Sequence, residues 1–327
     1  MDSFTGKLAV VTGGGSGMGR ELTRQLAAAG CSVAACDLNP DTMAETVALA
    51  RAEAPAGVLV SGHTCDVAYE DQVLRFRDDL LAEHATDHVD LVFSNAGAGG
   101  GESFVNSERW VWERIFAIDF WGVYYCARAF LPLLIASGDG VLVNTSSVNG
   151  FWAALGPGMP NNAYAAAKFA VRGFTEALIE DLRSNAPQVR VALVLPGHVG
   201  TNIIRNSIIV RGLPAPEHMS DAQVEELIPP DARDKLAQAG LLSGETTAED
   251  LRRFLVRIND DFRDKAPVSA AQAATIILDG VRAGNWRILI GQDAKMIDER
   301  VRAKPEAAYD YADLFAGLTG TGGDQAS

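Results

Sequence analysis

Residues 7–30, KLAVVTGGGSGMGRELTRQLAAAG, place an apolar run, a glycine cluster and an amphipathic segment in immediate succession. Residues 7–12 have the length and composition of a buried strand, and residues 17–29 have the spacing of a helix that Gly30 ends. Between them, TGGGSGMG (12–19) removes side chains where backbone amides and a helix N-terminus can receive a pyrophosphate. The spacing is TGxxxGxG, set by Gly13, Gly17 and Gly19, and differs from GxGxxG. Ser16 and Met18 stand inside the same turn and join the candidate cofactor contacts. The competing reading is a glycine-rich tight turn that holds nothing, and the strand-turn-helix setting is what favours a dinucleotide.

Six further strand-like runs follow, at 32–36, 57–61, 89–94, 141–145, 189–195 and 287–290, with helical patterns between them. The runs are apolar throughout instead of alternating, which predicts strands covered on both faces: a Rossmann-type, doubly wound α/β fold with a parallel seven-stranded sheet. No Pro/Gly/Ser-rich linker divides the 327 residues, so 1–316 read as one domain, and 317–327 (GLTGTGGDQAS) have the composition of a disordered tail. Between 201 and 267 the alternation stops and helix-start signals take over, which predicts a helical insertion. Ser220 with Gln223, Thr246 with Glu249, and Ser269 with Gln272 read as capping boxes. Residues 293–315 read as a charge-rich helical stretch.

Composition narrows the function. With 42 acidic and 28 basic side chains, a net charge of −14 and 48% hydrophobic residues, the chain reads as soluble and globular, with an average field that repels nucleic acid and anionic lipid. Small molecules and further subunits are the expected partners. The N-terminus has too short an apolar run for a signal peptide, and no stretch approaches the roughly 20 apolar residues of a membrane span, so a cytoplasmic protein is expected. Cys31, Cys36, Cys65 and Cys126 form no CxxC pair, and disulfides are not expected.

Asp37 lies eighteen residues beyond Gly19 at the end of the second run, where a carboxylate can accept from both ribose hydroxyls of adenosine and repel a 2′-phosphate. NAD is favoured over NADP on that ground, although an ordinary turn carboxylate would look the same. Tyr164 and Lys168 in NNAYAAAKFAV sit one helical turn apart, placing an ammonium beside a phenol. A phenol with a pKa near 10 needs about three units of depression, or roughly 4 kcal/mol, to act as a base at neutral pH. Ser146 and Ser147 end the run GVLVNTSS at the carboxyl end of a strand, where open parallel sheets bind ligands; turn or cap chemistry is the alternative.

TGGGSGMG, NAG (Asn95, Ala96, Gly97), the serine pair, YAAAK and PGHVGT (196–201) occur in the order found in the classical short-chain dehydrogenases/reductases, and most of the first 200 residues resemble that family. The resemblance implies that Ser147 holds the substrate oxygen, Tyr164 transfers its proton, and Lys168 also binds the nicotinamide ribose. It implies that Asp66 and Val67 meet the adenine, that Asn95, Ala96 and Gly97 line the cofactor site, and that Pro196, Gly197, Val199 and Thr201 meet the carboxamide. It also implies a homotetramer or homodimer assembled through the helix bearing Tyr164 and Lys168 and its neighbour. Asp119 replaces an asparagine that supports a proton relay in relatives, and an ionised carboxylate near Lys168 would alter both the lysine charge and the tyrosine pKa.

Phe151, Trp152, Leu155 and Met159 on one side, and Ile203, Ile204, Ile208 and Ile209 on the other, bracket the expected chemistry with apolar groups or belong to the core. His84 and His88 have HxxxH spacing but no third ligand, so no metal is expected. His198 is expected to be structural, and Trp110, Trp112 and Trp121 to pack between helices. The sequence thus predicts an NAD-dependent oxidoreductase acting on a hydrophobic secondary alcohol or ketone. The rivals are a catalytically silent dinucleotide-binding regulator and a sugar epimerase or dehydratase.

Overall fold

The computed structural model describes residues 1, 3–100, 103–105, 107–154, 161–238, 240–242 and 246–310. In it β1 (Leu8–Thr12) is buried along its whole length and feeds through the glycine turn into α1 (Gly17–Ala28). The units β2 (Ser32–Asp37), α2 (Pro40–Glu53), β3 (Val60–Thr64) and α3 (Glu70–Glu83) complete the first half of the sheet. In the second half, β4 (Leu91–Ser94) is followed by α4 (Arg109–Phe116), a π-helical turn (Ala117–Trp121) and α5 (Gly122–Ala136). Then come β5 (Gly140–Thr145), α6 (Asn162–Asn185) and β6 (Val189–Pro196). The sheet order is β3-β2-β1-β4-β5-β6-β9, parallel throughout, with β9 at Arg287–Ile290.

All seven predicted strands are present in this sheet. The third lies three residues later than expected, because residues 57–59 remain in the loop after α2 and the ladder continues through Gly62, His63 and Thr64. Those polar positions belong to an edge strand, covered less completely than the apolar centre, so hydrophobicity alone ends the strand too early.

Two apolar cores sandwich the sheet. One packs α1, α2 and α11 (Ala270–Arg282) with residues such as Leu22, Leu26, Met43 and Ile277, and the other packs α3, α5 and α6 with Phe76, Leu80, Phe130 and Leu182. The run Arg109–Ala136 is by length and composition long and apolar enough to cross a membrane, contrary to the expectation from sequence. Half of its most apolar window is buried inside the protein, as a core helix requires.

Beyond β6, a two-residue strand β7 (Val199–Gly200) pairs with β8 (Val268–Ser269), bracketing the expected helical segment. That segment contains α7 (Ile203–Ile209), α8 (Asp221–Leu227), α9 (Pro230–Gln238) and α10 (Ala248–Asp264). The capping boxes at Ser220/Gln223 and Ser269/Gln272 are formed. The third lies one residue on: Thr247 and Asp250, not Thr246 and Glu249, satisfy each other's backbone donors. A shorter aspartate still reaches back across one turn, so the glutamate drew the cap to the wrong register. The described residues close with α12 (Gln292–Ala303) and a short 3₁₀ turn (Pro305–Ala307), so the predicted helical stretch over 293–315 stops at Ala303 as an α-helix; 311–327 lie outside the described residues.

Candidate active site

The strand order reverses between β1 and β4, which opens a crevice at the carboxyl ends of the strands. The glycine turn lies on its β1 side. Gly17 adopts φ +53°, with Thr201 Cγ2 only 3.1 Å from where a Cβ would stand, and a Cβ on Gly19 would lie 2.0 Å from the Gly13 carbonyl oxygen. Side chains are therefore excluded where the strand turns into α1. Ser16 occupies the N-cap of α1 without a side-chain bond to the helix, and its Oγ accepts instead from Asn206 Nδ2 at 3.1 Å. The turn and helix N-terminus fit the pyrophosphate of a dinucleotide. Met18 packs at the margin of the core. Asp37 accepts from Gly15 N at 2.9 Å and Asn39 N at 3.0 Å, tying the acidic residue of β2 to the turn. The guanidinium of Arg20 donates to the Gly15 carbonyl and pairs with Glu45.

Several residues predicted to meet the cofactor also hold the framework together. Asn95 donates its side-chain amide to the Thr12 carbonyl at 3.1 Å, while the backbone amides of Asn95 and Ala96 donate to Thr12 Oγ1. Thr12 thus stitches β1 to the NAG segment, a role the sequence reading missed. Asp66 is gripped by both terminal guanidinium nitrogens of Arg114 at 2.6 and 3.2 Å, and Arg114 Nε reaches the carbonyl of Val210 beyond α7. Val67 is buried against Gly122. Pro196 ends β6, and Gly197 and His198 are held by Asp293 of α12: a Cβ on Gly197 would meet its carboxylate at 2.2 Å, and His198 N donates to it at 2.6 Å. Val199 is buried in β7, and Thr201 leans over Gly17. The His198 ring bonds the Phe262 carbonyl and packs on Phe262, the structural role expected of it.

Ser147, Tyr164, Lys168 and Asp119 converge beside the crevice. Ser147 begins the 3₁₀ turn Val148–Gly150 just beyond β5, where its Oγ accepts from Asn149 N at 3.1 Å and is hydrogen-bonded to Tyr164. Ser146 points elsewhere, donating to the Lys168 carbonyl at 2.7 Å, which leaves Ser147 as the hydroxyl of the pair beside Tyr164. Lys168 Nζ lies 5.4 Å from the Tyr164 ring centroid, donates to the Thr145 carbonyl at 3.2 Å and meets Asp119 Oδ1 at 2.8 Å. One N–H donor is engaged by the Thr145 carbonyl while the carboxylate contact is an ion pair, which fits a further donor directed to a ribose hydroxyl. Gly97 makes the ion pair possible, because a Cβ there would come 2.8 Å from Asp119 Oδ1 and 3.3 Å from Lys168 Nζ.

The electrostatics differ from a simple lysine-tyrosine pair. Burial disfavours the Lys168 ammonium, but Asp119 and Tyr164 outweigh it and hold the lysine above its ordinary pKa. Burial pushes Asp119 up, and Lys168 pulls it partly back. For Tyr164, burial raises the phenol; Lys168 opposes, Asp119 adds to the rise, and the Ser147 hydrogen bond opposes it. The phenol ends above its ordinary value, opposite to the depression a base requires.

The apolar bracket divides. Phe151 and Trp152 pack with Leu193, Leu195 and Ile297, and Trp152 Nε1 donates to the Ala308 carbonyl at 2.8 Å, so they anchor the C-terminal helix instead of facing the crevice. Ile208 belongs to the separate core of the helical segment, whereas Ile203 and Ile204 remain partly exposed. Leu155 and Met159 lie outside the described residues. His84 bonds Ser61 and His88 faces Asp87, so the two imidazoles do not converge. Trp112 stacks on Phe116, while Trp110 and Trp121 are about half exposed.

The sequence profile of the short chain dehydrogenase family matches residues 7–208, and the chain belongs to that family of oxidoreductases, whose fold binds a nicotinamide dinucleotide. It is 37% identical over 302 residues to the oxidoreductase named SadH of Mycobacterium tuberculosis, covering 92% of each chain. It is 32% identical over 202 residues to epidermal retinol dehydrogenase 2 of Mus musculus, covering 62% of this chain and 63% of that one. Among solved structures, a short chain dehydrogenase/reductase from Burkholderia phymatum in complex with NAD is 28% identical, with a TM-score of 0.68 and full coverage of both chains. A metagenomic short-chain oxidoreductase in complex with NADP is 31% identical, with a TM-score of 0.52, covering 59% of this chain and 83% of that one.

Proposed function

We propose that the protein is an NAD-dependent oxidoreductase that interconverts a hydrophobic secondary alcohol and its ketone. The observation that carries this reading is the convergence of Ser147, Tyr164 and Lys168 at the carboxyl end of β5, beside the glycine turn. Ser147 orients the substrate oxygen, and Tyr164 takes the hydroxyl proton in oxidation or returns it in reduction. Lys168 holds the ribose and biases the charge around the phenol. The nicotinamide, when bound, accepts or supplies the hydride. Asp37 at the end of β2, with Arg20 already paired to Glu45, supports NAD over NADP, as does the NAD found in the Burkholderia relative. A lipophilic substrate is supported by the partly exposed Ile203 and Ile204, the exposed Phe104 and Val105, and the likeness to a retinol dehydrogenase.

The exposed aromatic face of the π-turn and α5, with Trp121 stacked on Tyr125, supports a homo-oligomer. Fluorescence titration with NADH and NADPH, followed by a panel of hydrophobic secondary alcohols, tests the reading. Tighter NADH binding with alcohol-dependent turnover is expected. A preference for NADPH overturns the cofactor assignment, and binding without turnover favours a regulatory dinucleotide-binding role. Tyr164→Phe should lower turnover by about 10²-fold or more while NADH still binds; undiminished turnover removes Tyr164 from its role.

A further inference from the structure

The resemblance described above places a neutral asparagine where this chain has Asp119. The side chain is fully buried in the π-helical turn, 2.8 Å from Lys168 Nζ, with Gly97 leaving room for the contact and Ala98 N turned toward its other oxygen at 3.4 Å. A formal negative charge thus sits on the ammonium that would otherwise act alone on Tyr164. The charged groups acting on Tyr164 are Lys168, one turn along α6, and Asp119 from the π-turn, while Ser147 after β5 is hydrogen-bonded to it. From α4, Arg109 and Glu113 are paired with each other and Arg114 with Asp66, so their charges are balanced locally.

We propose that Asp119, acting through Lys168, holds Tyr164 as a proton donor, so that at neutral pH the resting site is charged for carbonyl reduction and alcohol oxidation requires alkaline conditions. This rests on Tyr164 being the proton-transfer group of the reaction proposed above. In the reducing direction a bound reduced nicotinamide would supply the hydride (two electrons and one hydrogen) to the carbonyl carbon. The Tyr164 O–H breaks, its proton forms the new O–H on the substrate oxygen, and the phenolate is reprotonated from solvent. Asp119 leaves the equilibrium of the reaction unchanged; it is a positioning residue that sets the pH at which each direction finds the phenol in the right state.

The test follows the phenol directly. Protein carrying ¹³C-labelled tyrosine, with Tyr164 assigned through Tyr164→Phe, is titrated by NMR with and without NADH, in the unmodified chain and in Asp119→Asn. Tyr164 is expected to stay protonated through neutral and mildly alkaline pH in the unmodified chain and to titrate lower in Asp119→Asn. The acid limb of alcohol oxidation should move down with it, giving about tenfold faster oxidation below the limb. A Tyr164 phenolate in the unmodified chain at neutral pH, or an unmoved midpoint in the variant, overturns the proposal. Should Asp119→Asn fail to fold, the unmodified titration and Asp119→Ser decide it. Retained turnover in Tyr164→Phe strikes at the proposed reaction instead, so the two failures are distinguishable.

Discussion

The crevice rim and the helical segment over 203–264 meet the same cleft but are built differently. The rim is cross-linked by buried contacts between distant strands and turns: Thr12 with Asn95, Asp119 with Lys168, Ser147 with Tyr164. The helical segment has a core of its own, with Met219, Val224, Leu251 and Phe254 buried among themselves. It reaches the crevice through isolated polar contacts, Asn206 on Ser16, Ser207 accepting from Gly99 N, and the Val210 carbonyl on Arg114. The difference assigns dense cross-linking to the crevice rim and a separate apolar core to the helical segment beside it.

The strongest challenge to that contrast is Gly19→Ala. Its Cβ would fall 2.0 Å from a backbone oxygen that cannot step aside, and a loss of more than about 3 kcal/mol is expected in urea unfolding, together with loss of NADH binding. A near-normal unfolding midpoint would mean that the rim yields more than its packing implies. Leu251→Ala removes a fully buried side chain from the helical core and should cost about 2–5 kcal/mol there. Hydrogen exchange should accelerate across 203–264 while the amides of β1, β4 and β5 keep their protection; equal acceleration in the sheet would make the two regions one cooperative unit. Asn206→Ala sharpens the comparison most gently. Losing one hydrogen bond of about 0.5–1.5 kcal/mol should speed NADH release by roughly two- to tenfold in stopped flow without moving the unfolding midpoint of the sheet.

The seven strands and the glycine turn were legible because continuous apolar runs and a side-chain-free turn are local consequences of burial and close approach. Ser147, Tyr164 and Lys168 were legible through strand-end placement and helical spacing, and the structure brings them together. Thr12, Arg114, Asp293 and Asn206 were not, since their partners lie 48 to 190 residues away, a distance no periodicity spans. For Phe151 and Trp152 the sequence left site and core open for the same reason: neighbours of Ser147 in sequence, they are claimed for the core by a helix nearly 150 residues downstream. At Asp119 the sequence showed which residue departs from its relatives, but only the ion pair shows what the departure does to the phenol.

The carboxylate of Asp293 has a further implication for the order of synthesis. Domains emerge from the ribosome N-terminus first. The glycine turn and the Ser147, Tyr164 and Lys168 cluster all precede residue 200, yet Gly197 and His198 are held by a side chain translated about 95 residues later. A nascent chain can therefore own Ser147, Tyr164 and Lys168 before the 196–201 segment acquires its hold from α12.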